Sequence, residues 1–310
     1  MRIIFIGSGE IGVPTLQRLA QAHSMVAVFT RPDRPAGRGH ILRPTPIKEA
    51  ALELGLELHQ PESVNSPESL QLIREFKPEA IVVASYGEIL SKDLLQIPQR
   101  GAINLHASLL PKYRGAAPIN WAIIRGETET GITTFLMDEG LDTGETLVQR
   151  RVPIEDDDTA GSLHDKLAQL GAKAMLETLE GLERGTLKPK PQDHSRATYA
   201  PKLKKELGRL DWSRPSRDLF NLIRGLNPAP GAFTFFKGRR LKVHRSRVVK
   251  DSYHGQPGEV IDVAEGLIVK TGNGLLELLE VQPEGKRPMG GMDFLRGYKV
   301  EVGELFSRST

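Results

Sequence analysis

Residues 2–12 read RIIFIGSGEIG. Four apolar residues, Ile3 to Ile6, run without a break toward three glycines, Gly7, Gly9 and Gly12. A short continuous apolar run predicts a strand buried on both faces, as in a parallel sheet. Glycines at its end predict a tight turn into the helix that starts near Pro14, where the missing proline N–H costs little. A strand turning through glycine into a helix is how a doubly wound α/β sheet begins. The spacing also fits G-x-G-x-x-G, the turn that seats a dinucleotide. That reading also wants an acidic residue at the end of the second strand. The chain offers Phe29-Thr30-Arg31 there, with Asp33 inside a Pro/Arg stretch. Arg31 is the one residue in place to meet a 2′-phosphate.

Outward from this stretch the pattern alternates. Strands are predicted over 25–30, 56–59, 80–85, 102–107, 130–137 and 146–152, and helices over 14–22, 46–54, 66–76, 90–95, 119–125 and 163–182. The first domain is expected over 1–185 as a doubly wound, Rossmann-like, mostly parallel sheet. Residues 186–206, rich in proline and charge, read as a basic linker. Residues 207–310 carry one helix, 218–226, and short regularly spaced strands, which predict a small antiparallel, OB-like β-barrel. Residues 31–46, RPDRPAGRGHILRPTP, hold four Pro, two Gly and four Arg, and read as neither helix nor strand. That loop is expected to be unordered without its partner.

The chain has 310 residues and no cysteine, which excludes disulfides and thiol catalysis. No apolar run of membrane-spanning length and no signal-peptide pattern is present, so a cytoplasmic location is expected. Charge is distributed unevenly. Residues 201–250 hold 14 Lys/Arg against 3 Asp/Glu, a net of +11, whereas the rest of the chain is net −8. A basic segment on an acidic body suggests a polyanionic partner, although a solvated basic face has the same composition.

Chemistry concentrates in Asn104-Leu105-His106-Ala107-Ser108-Leu109-Leu110-Pro111-Lys112-Tyr113-Arg114-Gly115. Asn104 and His106 lie two apart on a predicted strand, so both side chains share one face. They sit at its C-terminal end, where open α/β sheets bind ligands. An Asn amide donates to a developing oxyanion, and a His moves protons near neutral pH. The other seven histidines read as surface or structural residues. The acidic loop 137–145, MDEGLDTGE, supplies a carboxylate to orient His106, and spacing alone leaves Asp138 and Asp142 both open. No metal-ligand spacing is found, and Ser108 is not in a G-x-S-x-G turn.

Asn104-x-His106, the following Ser108-Leu109-Leu110-Pro111 and the later Asp142 resemble the 10-formyltetrahydrofolate-dependent formyltransferases. The longer strings SLLPKYRGAAPINWAI, GLDTGE, PDRPAGRG, TYAPKL and DFLRGYKVEVGE are similar to those members that formylate a charged initiator tRNA, over nearly the whole chain. The resemblance implies that Asn104 and His106 flank the formyl carbon and that Asp142 supports His106. It implies a folate site along Ser108, Leu109, Leu110 and Pro111, with Tyr86, Gly87, Leu90 and Asp138 around the pterin. It places Arg38, with Arg34 and Arg43, on a loop that meets the tRNA acceptor stem, and Lys202, Lys204 and Lys205 on the tRNA. The expected formyl donor is 10-formyltetrahydrofolate, with no metal, and the protein is expected to act as a monomer on initiator methionyl-tRNA. One departure is the first turn, which often reads Gly-Thr-Pro in the family and is Gly7-Ser8-Gly9 here. Formylation of an amino-sugar nucleotide, NADP-dependent redox chemistry and non-catalytic RNA binding are the competing readings.

Overall fold

The computed structural model describes residues 1–36, 41–250 and 253–307. Its first compact unit comprises Met1–Pro118, Glu129–Pro153 and His164–Pro201, and its second Ile119–Thr128, Ile154–Leu163 and Lys202–Thr310. In chain order the elements begin with β1 (Arg2–Gly7), α1 (Val13–Ala22), β2 (Ser24–Phe29), β3 (Arg34–Ala36), β4 (Ile41–Arg43), α2 (Pro46–Glu53) and β5 (Leu58–His59). They continue with α3 (Pro67–Glu75), β6 (Ala80–Ala84), α4 (Lys92–Leu95), β7 (Ala102–His106), α5 (Pro118–Ile124), β8 (Glu129–Leu136), β9 (Thr146–Pro153) and α6 (Ala160–Glu183).

The first unit is built on a seven-stranded sheet in the order β5-β2-β1-β6-β7-β8-β9. The pairs from β5 to β7 are parallel, and β7–β8 and β8–β9 are antiparallel. The mostly parallel fold expected from the apolar runs is present. Ile3 to Ile6 and Ala80 to Ala84 are buried along both central strands. Three of the helices start at side-chain caps. Thr45, Ser66 and Ser91 accept the backbone N–H of Lys48, Ser69 and Leu94, with Pro46 and Pro67 at the first helical position. The chain winds outward from β1 to β2 and β5, then crosses to β6 on the other side of β1. That reversal makes the carboxyl ends of β1 and β6 a topological switch point.

The glycines of the first turn are explained by space. Gly9 and Gly12 have ordinary negative φ. A Cβ on Gly9 would lie 2.5 Å from Ser85 Oγ, and one on Gly7 2.7 Å from the Ala84 carbonyl. The turn is pressed against the end of β6, and glycine is required for that approach. At the end of β2, where a dinucleotide fold places its ribose-binding carboxylate, Thr30 is fully buried and hydrogen-bonded to Thr45.

The structure corrects the reading of 31–46. Arg34–Ala36 and Ile41–Arg43 pair as an antiparallel ribbon, with Arg34 opposite Arg43 and Pro35 opposite Leu42. Prolines argue against a central strand, but an isolated two-stranded ribbon leaves an N–H side free on each strand, where proline is tolerated. Arg38 and the rest of 37–40 lie outside the described residues.

The second unit contains α7 (Ser216–Gly225), β10 (Ala232–Phe236), β11 (Arg239–Val249), β12 (Val260–Asp262), β13 (Ile268–Lys270), β14 (Leu275–Pro283), β15 (Met289–Gly290), α8 (Gly291–Tyr298) and β16 (Phe306–Ser307). Its sheet is antiparallel, ordered β12-β13-β14-β11-β10-β16, with β15 on β14. It curls as a half-barrel, helped by irregular pairing at Val243 to Ser246 in β11. Hydrogen bonds from Phe306 N to Gly258 O and from Val260 N to Glu304 O, both 2.8 Å, tie its two margins together. The core gathers Trp212, Leu222, Phe236, Val243, Leu278 and Phe294. Helix α8 is not legible in the sequence, because Gly291 and Gly297 weaken the helical pattern. Gly291 is needed, since a Cβ there would lie 2.1 Å from the Leu278 carbonyl.

Candidate active site

Asn104 and His106 end β7, between β6 and β8. His106 is 6% exposed. Its Nε2 is 2.9 Å from the Tyr113 carbonyl, and a carbonyl only accepts, so Nε2 carries the proton. The ring stands edge-on to Phe135 at 6.5 Å. Nδ1 therefore points into the site, with Asp142 Oδ2 3.6 Å away. Asn104 is half-buried, and among the described residues its amide meets only the Met137 sulfur at 3.9 Å, a weak acceptor. An oxygen placed between Asn104 and His106 would find a donor whose present partner is easily displaced.

The loop after β8 is shaped to deliver Asp142. A Cβ on Gly140 would lie 2.0 Å from Thr143 Oγ1, and one on Gly144 1.7 Å from the Leu136 carbonyl. Asp142 itself has φ +54°, a left-handed backbone that aspartate tolerates better than most residues. Its Oδ2 accepts the Gly115 N–H at 2.7 Å. Asp138 is used differently. Its Oδ1 accepts the Gly140 N–H at 3.0 Å and the Thr143 hydroxyl at 2.6 Å, so it closes the turn. Of the two carboxylates that spacing leaves open, Asp142 is the one beside His106.

The 108–111 strip is held rigidly. Ser108 is fully buried and donates its hydroxyl to the Lys112 carbonyl at 2.6 Å. Thr133 Oγ1 donates to the Ser108 carbonyl and accepts the Leu110 N–H, and Gln149 donates to the Leu110 carbonyl. Leu109 and Pro111 are half-buried and Leu110 buried. Across the switch point, Tyr86 and Leu90 are buried, and Gly87 has φ +79°. Burial, with the Glu88 carboxylate second, pushes the Tyr86 phenol up to about 12, so it stays protonated. Arg31 donates to the Tyr86 and Gly87 carbonyls at 2.9 and 2.8 Å and lies 5.2 Å from the Tyr86 ring centre. It is committed to this loop and so is not free for the 2′-phosphate of the dinucleotide reading.

The basic candidates are exposed. Arg34 and Arg43 face each other across the ribbon, and like charges directly opposite are unfavourable in isolation. Lys202, Lys204 and Lys205 are exposed at the start of the second unit. Arg38 lies outside the described residues. Among those residues no group of three or more His, Asp or Glu is placed to hold a metal ion.

Sequence reasoning misses the residues that build the site. The composition of residues 186–206 predicts a linker, and of these 186–201 are bonded along the first unit. Lys190 exchanges backbone bonds with Thr146, and Ala200 is fully buried beside Arg114. Gln192, 8% exposed, donates to the carbonyls of Asp142 and Gly144 at 2.9 and 2.7 Å. Its own carbonyl accepts from the Arg114 guanidinium at 2.7 Å. Gln192 is 50 residues from Asp142 in the chain, so no local spacing announces the contact.

Two family models match, Formyl transferase over residues 1–179 and Formyl transferase, C-terminal domain, over residues 202–299. A methionyl-tRNA formyltransferase of Caldanaerobacter subterraneus subsp. tengcongensis is 51% identical over 98% of this chain and 99% of its own length. One from Trichlorobacter lovleyi is 49% identical over 98% and 96%. In fold, the chain also resembles an N-formyltransferase from Helicobacter canadensis solved with folinic acid and dTDP-3-aminofucose. The TM-score is 0.68 at 18% identity, covering 91% of this chain and 98% of that one. With both domains matched and half of all positions shared along its length, the chain belongs to the methionyl-tRNA formyltransferase family of formyl transferases.

Proposed function

We propose that the protein transfers a formyl group from 10-formyltetrahydrofolate to the free amino group of methionyl initiator tRNA, for the start of translation. The observation that carries this is the arrangement at the end of β7, where Asn104 and His106 share one strand and the Asp142 carboxylate lies 3.6 Å from His106 Nδ1. The amine attacks the formyl carbon, and the carbonyl oxygen takes up negative charge. The Asn104 amide donates to that oxygen, trading its weak contact with Met137 for a charge-assisted hydrogen bond. His106 has Nε2 tied to the Tyr113 carbonyl, so proton traffic runs through Nδ1 alone. Asp142 stabilises the imidazolium that forms when Nδ1 is protonated, and the proton released by the attacking nitrogen goes on to the departing folate nitrogen. The formyl group is already activated, so the chemistry asks for a positioned oxyanion site and a proton carrier.

Folate is held by the rigid 108–111 strip and the Tyr86 to Leu90 loop, with Asp138 closing its turn beside Asp142. The acceptor is read through charge. Arg34 and Arg43 are exposed and opposite one another, with Arg34 3.9 Å from the Glu62 carboxylate, and a phosphate chain lying against them would gather both charges. Lys202, Lys204 and Lys205 give the second unit exposed basic groups of its own. Paired acceptor stems hide their base edges in a deep groove, so a projecting ribbon is a suitable reader. These features favour tRNA over an amino-sugar nucleotide, which would leave them unexplained. The test is formyl transfer measured with purified protein on charged initiator and elongator methionyl-tRNA. Transfer preferring the initiator is expected, and its absence with folded protein would overturn the reading.

A further inference from the structure

Asp142 stands in a left-handed backbone conformation at the tip of an exposed acidic loop, which is a poor place to hold a carboxylate still. Such a conformation persists only where surrounding contacts over-determine it. Those contacts come from the segment after α6. The two amide hydrogens of Gln192 go to the Asp142 and Gly144 carbonyls, on either side of Thr143. Its carbonyl oxygen accepts twice from Arg114, at 3.2 and 2.7 Å. The hydrogen-bonding capacity of the amide is therefore filled, and the group is buried. Arg114 is 2% exposed, and its backbone is bonded to Thr198 and Ala200. It immediately precedes Gly115, whose N–H holds the Asp142 carboxylate. Backbone and carboxylate of Asp142 are thus gripped by two contacts, both traced to Arg114, one of them relayed by Gln192.

From this geometry we propose that Gln192 is a positioning residue for formyl transfer, which fixes Asp142 at His106 by clamping the loop from behind. The inference rests on the reading of Asp142 as the partner of His106. Gln192 touches neither reactant, so its effect falls on turnover through Asp142. Affinity is governed by other surfaces.

Gln192→Glu keeps the length and the acceptor for Arg114 but removes both donors and sets a carboxylate against two carbonyl oxygens. Gln192→Met keeps the volume without any donor, so the two variants together separate the clamp from simple misfolding. Letting a positioned group drift by about 1 Å can cost about 10²-fold in rate. Both variants are expected to lose kcat on that scale, with KM for folate and for tRNA within about threefold of the parent. In an Asp142→Asn background the same changes should cost little more, because residues acting through one group are not additive. Unchanged kcat in folded Gln192→Glu and Gln192→Met, or losses that multiply with Asp142→Asn, would overturn the clamp alone. Full activity of Asp142→Asn by itself would instead remove the reading of Asp142, and the inference with it.

Discussion

Asn104 is a donor whose only partner among the described residues is a sulfur, and that is what makes it valuable. Removing one donor from an oxyanion site typically costs about 10²–10³ in rate. Asn104→Ala is therefore expected to lose kcat on that scale while KM for either substrate barely moves, measured in steady-state formylation. His106→Ala should lose at least as much, since it removes the ring that Tyr113 and Asp142 hold in place. A second histidine carries a stability effect. His23 caps the end of α1, with its Nε2 buried and unpartnered. Burial first, and the N-terminal ammonium second, hold its pKa below the ordinary 6.5, against the pull of Glu183, Glu180 and Glu79. The unfolded chain takes up this proton near 6.5, and the folded chain only at lower pH. Stability is thus intact above that value and declines as pH falls below it. His23→Gln should flatten the fall in melting temperature between neutral and mildly acidic pH.

At the scale of elements, two short structures can be tested. The β3–β4 ribbon sets Arg34 against Arg43, so Arg34→Ala is expected to leave melting temperature equal or slightly raised while KM for tRNA increases several-fold. A small amine acceptor assayed in parallel should be formylated as before. The first βα turn packs Gly9 against Ser85, and Gly9→Ala is expected to cost about 1–3 kcal/mol by denaturant unfolding, the range for forcing an extra carbon into a packed site. Ser85→Gly should recover part of that loss, because it removes the clashing hydroxyl and suits the φ of +49° at that position. The parallel strands are readable because burial on both faces leaves a continuous apolar run, and Asn104 and His106 stand out by interrupting the pattern of one such strand. The ribbon is unreadable because three-residue strands containing proline carry no period. Helix α8 is masked by Gly291, which packing demands, and by Gly297, which has open space around it. Gln192 and Arg114 are invisible as a pair because 78 residues separate them.

Across the whole molecule, charge is segregated along the chain. The net +11 of residues 201–250 coincides with the start of the longest stretch of the second unit, at Lys202, and β11 alone exposes Arg239, Arg245 and Arg247. Binding through phosphates releases counterions, so KM for tRNA should climb steeply with salt, whereas KM for folate should stay nearly level. Replacing Lys202, Lys204 and Lys205 together by Gln should weaken tRNA binding at low salt and lower the salt slope by about one for each phosphate that is no longer neutralised. The bonding of residues 186–201 to the first unit has a further bearing, on how this enzyme can be rearranged. A splice made after the last turn of α6, the natural place to cut by eye, would discard Gln192 and the strand-like partner of Arg114. Chimeras exchanging tails between relatives should therefore be joined between Pro201 and Lys202, so that the catalytic half travels with its own fastening.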